Sequence, residues 1–189
     1  MASIDHEARR IYAKIVYWGP PAAGKWANLE DVHRRTSPPD RPPAAKETSV
    51  GFPLSLGELR GYAIVFALLR CPSDGSWTRH VFDELGSGPP DGVVFVADSS
   101  PTALLDNVAW VQKLNTEASA RGLDLGKLPA AFQYNKRDVA GALPVEQLRR
   151  AINPWQHPDG EAIAARGIGV FETLKQVSRG VLEELRKAP

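Results

Sequence analysis

Apolar residues in this chain gather in short unbroken runs, separated by longer stretches in which they recur every three or four positions. The runs predict strands over 14–18, 54–56, 62–69, 92–97 and 130–134. The run Gly92-Val93-Val94-Phe95-Val96-Ala97 has no polar member, as suits a strand covered on both faces of a parallel sheet. The spaced stretches predict helices. One covers 25–35 and turns Leu29 and Val32 inward. A second starts with Ser100 as N-cap and Pro101 as first helical residue, and carries Leu104, Val108 and Val111 on one face. A third covers 171–186, with Phe171, Leu174, Val177, Val181 and Leu185 at helical spacing.

The breaks are as informative as the runs. Pro38, Pro39, Pro42 and Pro43 lie within 38–46; they exclude a helix or central strand and favour a stiff, extended loop. Residues 57–61 read as a turn between two strands, and 71–75 as a loop. Strands alternating with helices specify an α/β fold with a mostly parallel central sheet and right-handed crossovers. A length of 189 residues suits one domain, 1–189. Ligands of such folds sit at the carboxyl ends of the strands, so the loops that leave those ends carry the chemistry.

Two of those loops bear motifs. The first strand feeds Gly19-Pro20-Pro21-Ala22-Ala23-Gly24-Lys25, which fits the glycine-bracketed phosphate loop up to its lysine. Backbone N–H groups there cradle phosphates, the lysine attracts them, and a following Ser or Thr hydroxyl holds Mg²⁺. Here that next residue is Trp26, followed by Ala27. An indole offers one donor and no hard oxygen, so Trp26 supplies no Mg²⁺ ligand and reads instead as a packing anchor at the helix start. The second motif, Asn135-Lys136-Arg137-Asp138, follows the strand over 130–134. The Asp138 carboxylate can accept from the ring N–H and the exocyclic amine of guanine together, which adenine cannot offer. The Lys136 stem can lie along the base, and Asn135 can tie this loop to the phosphate loop. A site built around a paired carboxylate rejects the base that leaves it unpaired.

With these motifs in order, the chain resembles the MglA family, bacterial Ras-like small GTPases of cell polarity and gliding motility. The resemblance runs through 14–17 with Gly19-Pro20, Asn28-Leu29, and Pro53-Leu54-Ser55-Leu56-Gly57-Glu58-Leu59-Arg60-Gly61. It continues through 91–99, Gln133-Tyr134 with the second motif, and Gly167 with 169–175. It implies a Ras-like P-loop NTPase fold, helices on both faces of the sheet, and GTP or GDP as ligand. By position, the loop Ala164-Ala165-Arg166 would offer backbone N–H groups to the guanine O6. The implied nucleotide site is therefore Gly19, Pro21, Ala22, Ala23, Gly24, Lys25, Trp26, Ala27, Asn135, Lys136, Asp138, Ala165 and Arg166. The implied partners are an MglB-like roadblock-domain activator or other motility and polarity proteins.

Further departures fall on the hydrolytic side. The family has Pro-Gly-Gln after its next strand; here Pro72 aligns, and Ser73 and Asp74 stand at the glycine and glutamine positions. A short anionic side chain at 74 would repel a phosphate rather than orient water. No catalytic residue is assigned. The first switch is proline-rich, with Thr48, Ser49 and Arg41 as loose stand-ins for the family's threonine and arginine.

Composition narrows the reading further. Hydrophobic residues make up 43%, enough for a packed interior. With Lys+Arg 23 against Asp+Glu 22, the net charge of +1 gives no bulk pull toward nucleic acid or anionic membrane. The lone Cys71 forms no internal disulfide and reads as a quiet thiol. With no apolar leader and no membrane-length run, the chain reads as cytoplasmic. His6, His33, His80 and His157 lack metal spacing. Trp77, Trp110 and Trp155 read mainly as packing residues, with Trp110 the best candidate for a partner surface because it lies off the Leu104-Val108-Val111 face. The sequence thus reads as a guanine-nucleotide-binding small G protein with weak intrinsic hydrolysis. The alternative is a pseudo-GTPase scaffold that does not turn over nucleotide. The second motif argues against a P-loop phosphotransferase.

Overall fold

The computed structural model describes residues 2–37, 53–71 and 89–187. In chain order these form β1 (Ser3–Asp5), β2 (Arg10–Trp18), α1 (Lys25–Thr36), β3 (Pro53–Leu59), β4 (Tyr62–Arg70) and β5 (Gly92–Asp98). Then follow α2 (Leu104–Ala120), β6 (Ala130–Asn135), α3 (Val145–Ile152), β7 (Asp159–Glu161) and α4 (Val170–Lys187). The sheet runs β3-β4-β2-β5-β6-β7. Its four inner pairings, from β4 to β7, are parallel; β3 joins β4 antiparallel, and β1 adds antiparallel to the start of β2. This is the mostly parallel α/β sheet of a Ras-like fold.

The unbroken apolar runs follow from burial on two sides. Successive side chains of a strand point to opposite faces. Along β2, Ala13, Ile15 and Tyr17 enter one core with Leu29 and Val32 of α1 and Val170, Leu174, Val177 and Val181 of α4. The intervening Val16 and Trp18 enter the opposite core with Val111 and Leu114 of α2 and Leu148 and Ile152 of α3. In β5, Val94 and Val96 face the first core; Val93, Phe95 and Ala97 face the second. Both faces of these strands are covered, which is why polar–apolar alternation is missing from the sequence.

Several boundaries differ from the pattern-based ones. The β3–β4 turn is only Arg60-Gly61, not 57–61, and both residues take positive φ (53° and 80°), as a two-residue hairpin turn requires. Ser100 makes no side-chain cap; a single 3₁₀ turn over Pro101–Ala103 precedes α2, and Asp98 Oδ1 accepts the Ser100 N–H at 2.8 Å. β1, α3 and β7 are additional elements. The consequence for function is positional. Four neighbouring strands, β4, β2, β5 and β6, end side by side at Arg70, Trp18, Asp98 and Asn135.

Candidate functional site

The loop after β2 is bent by three left-handed residues: Gly19 (φ 137°), Ala22 (φ 59°) and Gly24 (φ 106°). Two of them must lack a side chain. A Cβ on Gly19 would lie 2.2 Å from the Val96 carbonyl oxygen, and one on Gly24 would lie 2.1 Å from Asn135 Nδ2. Ala22 bears its positive φ with a side chain, a strain of about 1 kcal/mol or more. Gly24 serves as the N-cap of α1 without a side-chain cap. The backbone N–H groups of Gly24, Lys25, Trp26 and Ala27 have no acceptor among the described residues, so they form a set of donors at the positive end of the helix dipole. His33, Arg34 and Arg35 in the last turn of α1 complement the other end.

Lys25 is 6% exposed and folds over this loop. Its Nζ donates to the carbonyls of Gly19 (2.5 Å) and Pro20 (2.7 Å) and lies 5.3 Å from the Trp110 ring centroid. Burial lowers its pKa to about 8; Cys71 acts to raise it, and the charge of Arg70 lowers it further. Trp110 itself is half-buried. It packs on Trp18 (centroids 5.6 Å apart) and accepts the Trp18 indole N–H at its carbonyl, so it belongs to the second core and to the lysine's surroundings rather than to an open surface.

The β6 loop is tied to the β2 loop by one residue. Asn135, 2% exposed, donates from Nδ2 to the Ala23 carbonyl at 2.7 Å and accepts the Ala164 N–H at Oδ1, at 2.8 Å. Three loops therefore meet on a single amide, and the bridge expected from the sequence is present. In the third loop the Arg166 N–H goes to Ile163 O, while the N–H of Ala165, an exposed residue, has no acceptor among the described residues. Lys136 takes positive φ (62°) and pairs with Asp98 at 2.6 Å. Burial opposes ionisation of Asp98, but the bonds from Lys136 and Ser100 outweigh it and hold the carboxyl below its ordinary value. Asp138 is exposed, 3.7 Å from the Arg166 guanidinium.

Beneath the loops lies a buried polar clamp that the motifs did not announce. Asn28 and Gln133 exchange amide hydrogen bonds at 2.8 and 2.9 Å. Asn28 also donates to Gly24 O at 3.0 Å, and Gln133 donates to Thr173 Oγ1 at 3.1 Å. The clamp fixes the first turn of α1 to β6 and α4. Because the partners are paired, their burial rigidifies the site instead of destabilising it.

Trp26, after the lysine, is half-buried, and its Nε1 has no hydrogen-bond partner among the described residues. The Arg70 guanidinium lies over its ring, 5.7 Å from the centroid. Ala27 packs against the first core. The sequence singled out neither this stacking nor Arg70.

The remaining candidates are placed as follows. Arg41, Thr48, Ser49, Pro72, Ser73, Asp74, Gly75, Trp77, His80 and the loop over 38–46 lie outside the described residues. Cys71 is buried. His6 bonds Tyr62 Oη, His33 is buried, and His157 bonds Leu125 O and stacks on Phe132. Trp155 packs beside His157. Among the described residues no group of His, Cys, Asp and Glu could hold a metal ion, and no helix is long and apolar enough to cross a membrane.

No protein-family model matches the chain. It is 37% identical over 198 aligned positions to the mutual gliding-motility protein MglA of Myxococcus xanthus (strain DK1622), a match that covers 99% of both chains.

Proposed function

The chain belongs to the MglA family of Ras-like small GTPases, and we propose that it is a guanine-nucleotide-binding switch protein with weak intrinsic GTP hydrolysis. The observation that carries this reading is the Asn135 bridge, which holds the phosphate loop, the Asp138 loop and the Ala165 loop in one rigid arrangement. Across that arrangement, the backbone N–H groups at the start of α1 and Lys25 would hold the α- and β-phosphates. Asp138 would accept the guanine N–H pair, the Ala165 N–H would donate to O6, and Lys136 would flank the base. Arg166, beside Asp138, would limit the carboxylate's orientations.

Weak hydrolysis is inferred from residue types: Asp74 stands where the family places a water-orienting glutamine. A roadblock-type activator, or another motility or polarity protein, is the partner class the family suggests. Supplying catalytic groups in trans would be one such partner's task.

Calorimetry of the purified chain against GDP and GTP tests the binding, with micromolar or tighter affinity expected. Single-turnover GTP hydrolysis without a partner should be slow. Absence of guanine-nucleotide affinity would sink the reading and leave the pseudo-GTPase scaffold, whose partner binding would be unchanged by Lys25→Ala or Asp138→Ala.

A further inference from the structure

In a phosphate loop of this type the residue after the lysine holds Mg²⁺ through a hydroxyl. A carboxylate from a neighbouring strand completes the cation's protein ligands. Both positions differ here from that pattern. Trp26 contributes an indole, whose buried N–H has no acceptor among the described residues. Such an orphan donor suits an anion, not a metal. The neighbouring strand is β4, parallel to β2, with Arg70 in register with Tyr17 at its carboxyl end. Where the strand ends, the chain presents a permanent cation instead of a carboxylate.

These two residues are not merely both present; they touch. The Arg70 guanidinium rests over the Trp26 ring at 5.7 Å, so the indole acts as a shelf for it through its negative face. The same charge also reaches Lys25, whose proton it helps to displace. A second cation placed among these groups would meet like charges and no oxygen ligand from Trp26. A diphosphate would meet a guanidinium fork, an ammonium and a row of backbone donors. Guanidinium pairs with phosphate oxygens through two parallel hydrogen bonds, which a hydrated metal does not need to mediate.

We propose that the Arg70 guanidinium, shelved on Trp26, takes the place of the divalent cation beside the nucleotide's β-phosphate, so that this chain binds GDP and GTP without Mg²⁺. The proposal rests on the guanine-nucleotide reading above. It turns the altered metal position from a defect into a substitution: one fixed side-chain charge where a diffusible ion would be. It also gives Trp26 a use that neither a hydroxyl nor a small residue could serve, since only an aromatic face supports the guanidinium.

The test is a titration of the purified chain with fluorescently labelled GDP, in buffer with EDTA and in buffer with excess Mg²⁺. Affinities in the two buffers should agree within about twofold, well inside the tenfold that one charge-assisted contact represents. Arg70→Gln should weaken binding by about tenfold to a hundredfold in both buffers. Arg70→Lys, which keeps the charge but loses the fork, should fall between the two, and circular dichroism melting should show each variant folded. If the unaltered chain binds GDP with Mg²⁺ but loses about tenfold or more in EDTA, the substitution is overturned while the nucleotide reading stands. Unchanged affinity in folded Arg70→Gln would overturn it equally. No binding in either buffer would remove the nucleotide reading itself, and this proposal with it.

Discussion

At the β6 end of the site, Asn135 bonds two loops at 2.7 and 2.8 Å, and the Asp138 side chain is exposed 3.7 Å from the Arg166 guanidinium. At the β4 end, an indole and a guanidinium stack where a hydroxyl and a carboxylate would hold a metal. The first region carries the groups proposed to read guanine, with the buried Asn135 amide beneath them. The second keeps the donors for phosphate but exchanges oxygen ligands for an aromatic ring and a positive charge. On the proposed reading, base recognition and cation replacement occupy different strand ends, with the phosphate loop between them.

The contrast can be broken most severely at its hinge. Asn135→Ala leaves the Ala23 carbonyl and the Ala164 N–H without their partner. It should cost about 2–4 kcal/mol of stability and lower GDP affinity by about a hundredfold or more, readable by chemical denaturation and calorimetry. Next in size is Asp138→Asn. An amide offers one acceptor and one donor, so GDP affinity should drop by about a hundredfold, with a relative gain for a base carrying a carbonyl in place of the exocyclic amine. That variant should keep its indifference to EDTA, because base reading and cation replacement lie at opposite ends.

A pH series sharpens the other end. Lys25 has a pKa of about 8, below its usual 10.5, because burial disfavours its charged form. Its burial therefore destabilises the fold at low pH, and this cost is relieved as pH rises from about 8 toward 10.5. Bound phosphate favours the charged form, so the sign for affinity is opposite. GDP affinity should be flat below pH 8 and fall by up to about tenfold per pH unit above it. Lys25→Met should bind more weakly and lose that part of the slope. The smallest effect is expected at Arg166→Ala. An exposed pair is worth about 0–1 kcal/mol, so GDP affinity should change by less than about fivefold in calorimetry, and a larger loss would give Arg166 a direct role with the base.

What was legible in the sequence follows the physics of each feature. β5 is readable because both of its faces are buried, which leaves an unbroken apolar run; β6 is buried likewise and its run is interrupted only by Gln133 before the motif begins at Asn135. β7 is Asp159-Gly160-Glu161, without an apolar side chain and held by pairing to β6, and no local pattern announces it. α3 spans only two turns after Pro144, and its apolar Val145, Leu148 and Ile152 were too few to stand out. The Asn135 bridge could be anticipated because its motif carries the mechanism with it. The Asn28–Gln133 amide pair could not: its partners lie 105 positions apart, and each alone is an ordinary polar residue. Arg70 was hidden for the same reason. It becomes informative only once the parallel β2–β4 register sets the end of one strand beside the helix that the other strand's loop begins. Trp110 reads from the sequence mainly as a packing residue, and its contact with Trp18, 92 positions away, has no local signature.

Guanine selection, as proposed, depends on the Asp138 end of the site and not on its metal end. The most direct measurement is calorimetric titration of the purified chain with GDP and, separately, ADP, both in EDTA. GDP should bind with micromolar or tighter affinity and ADP more weakly by about a hundredfold or more, since adenine leaves the Asp138 carboxylate unpaired. Equal affinities for the two, or no heat with GDP, would contradict guanine selection.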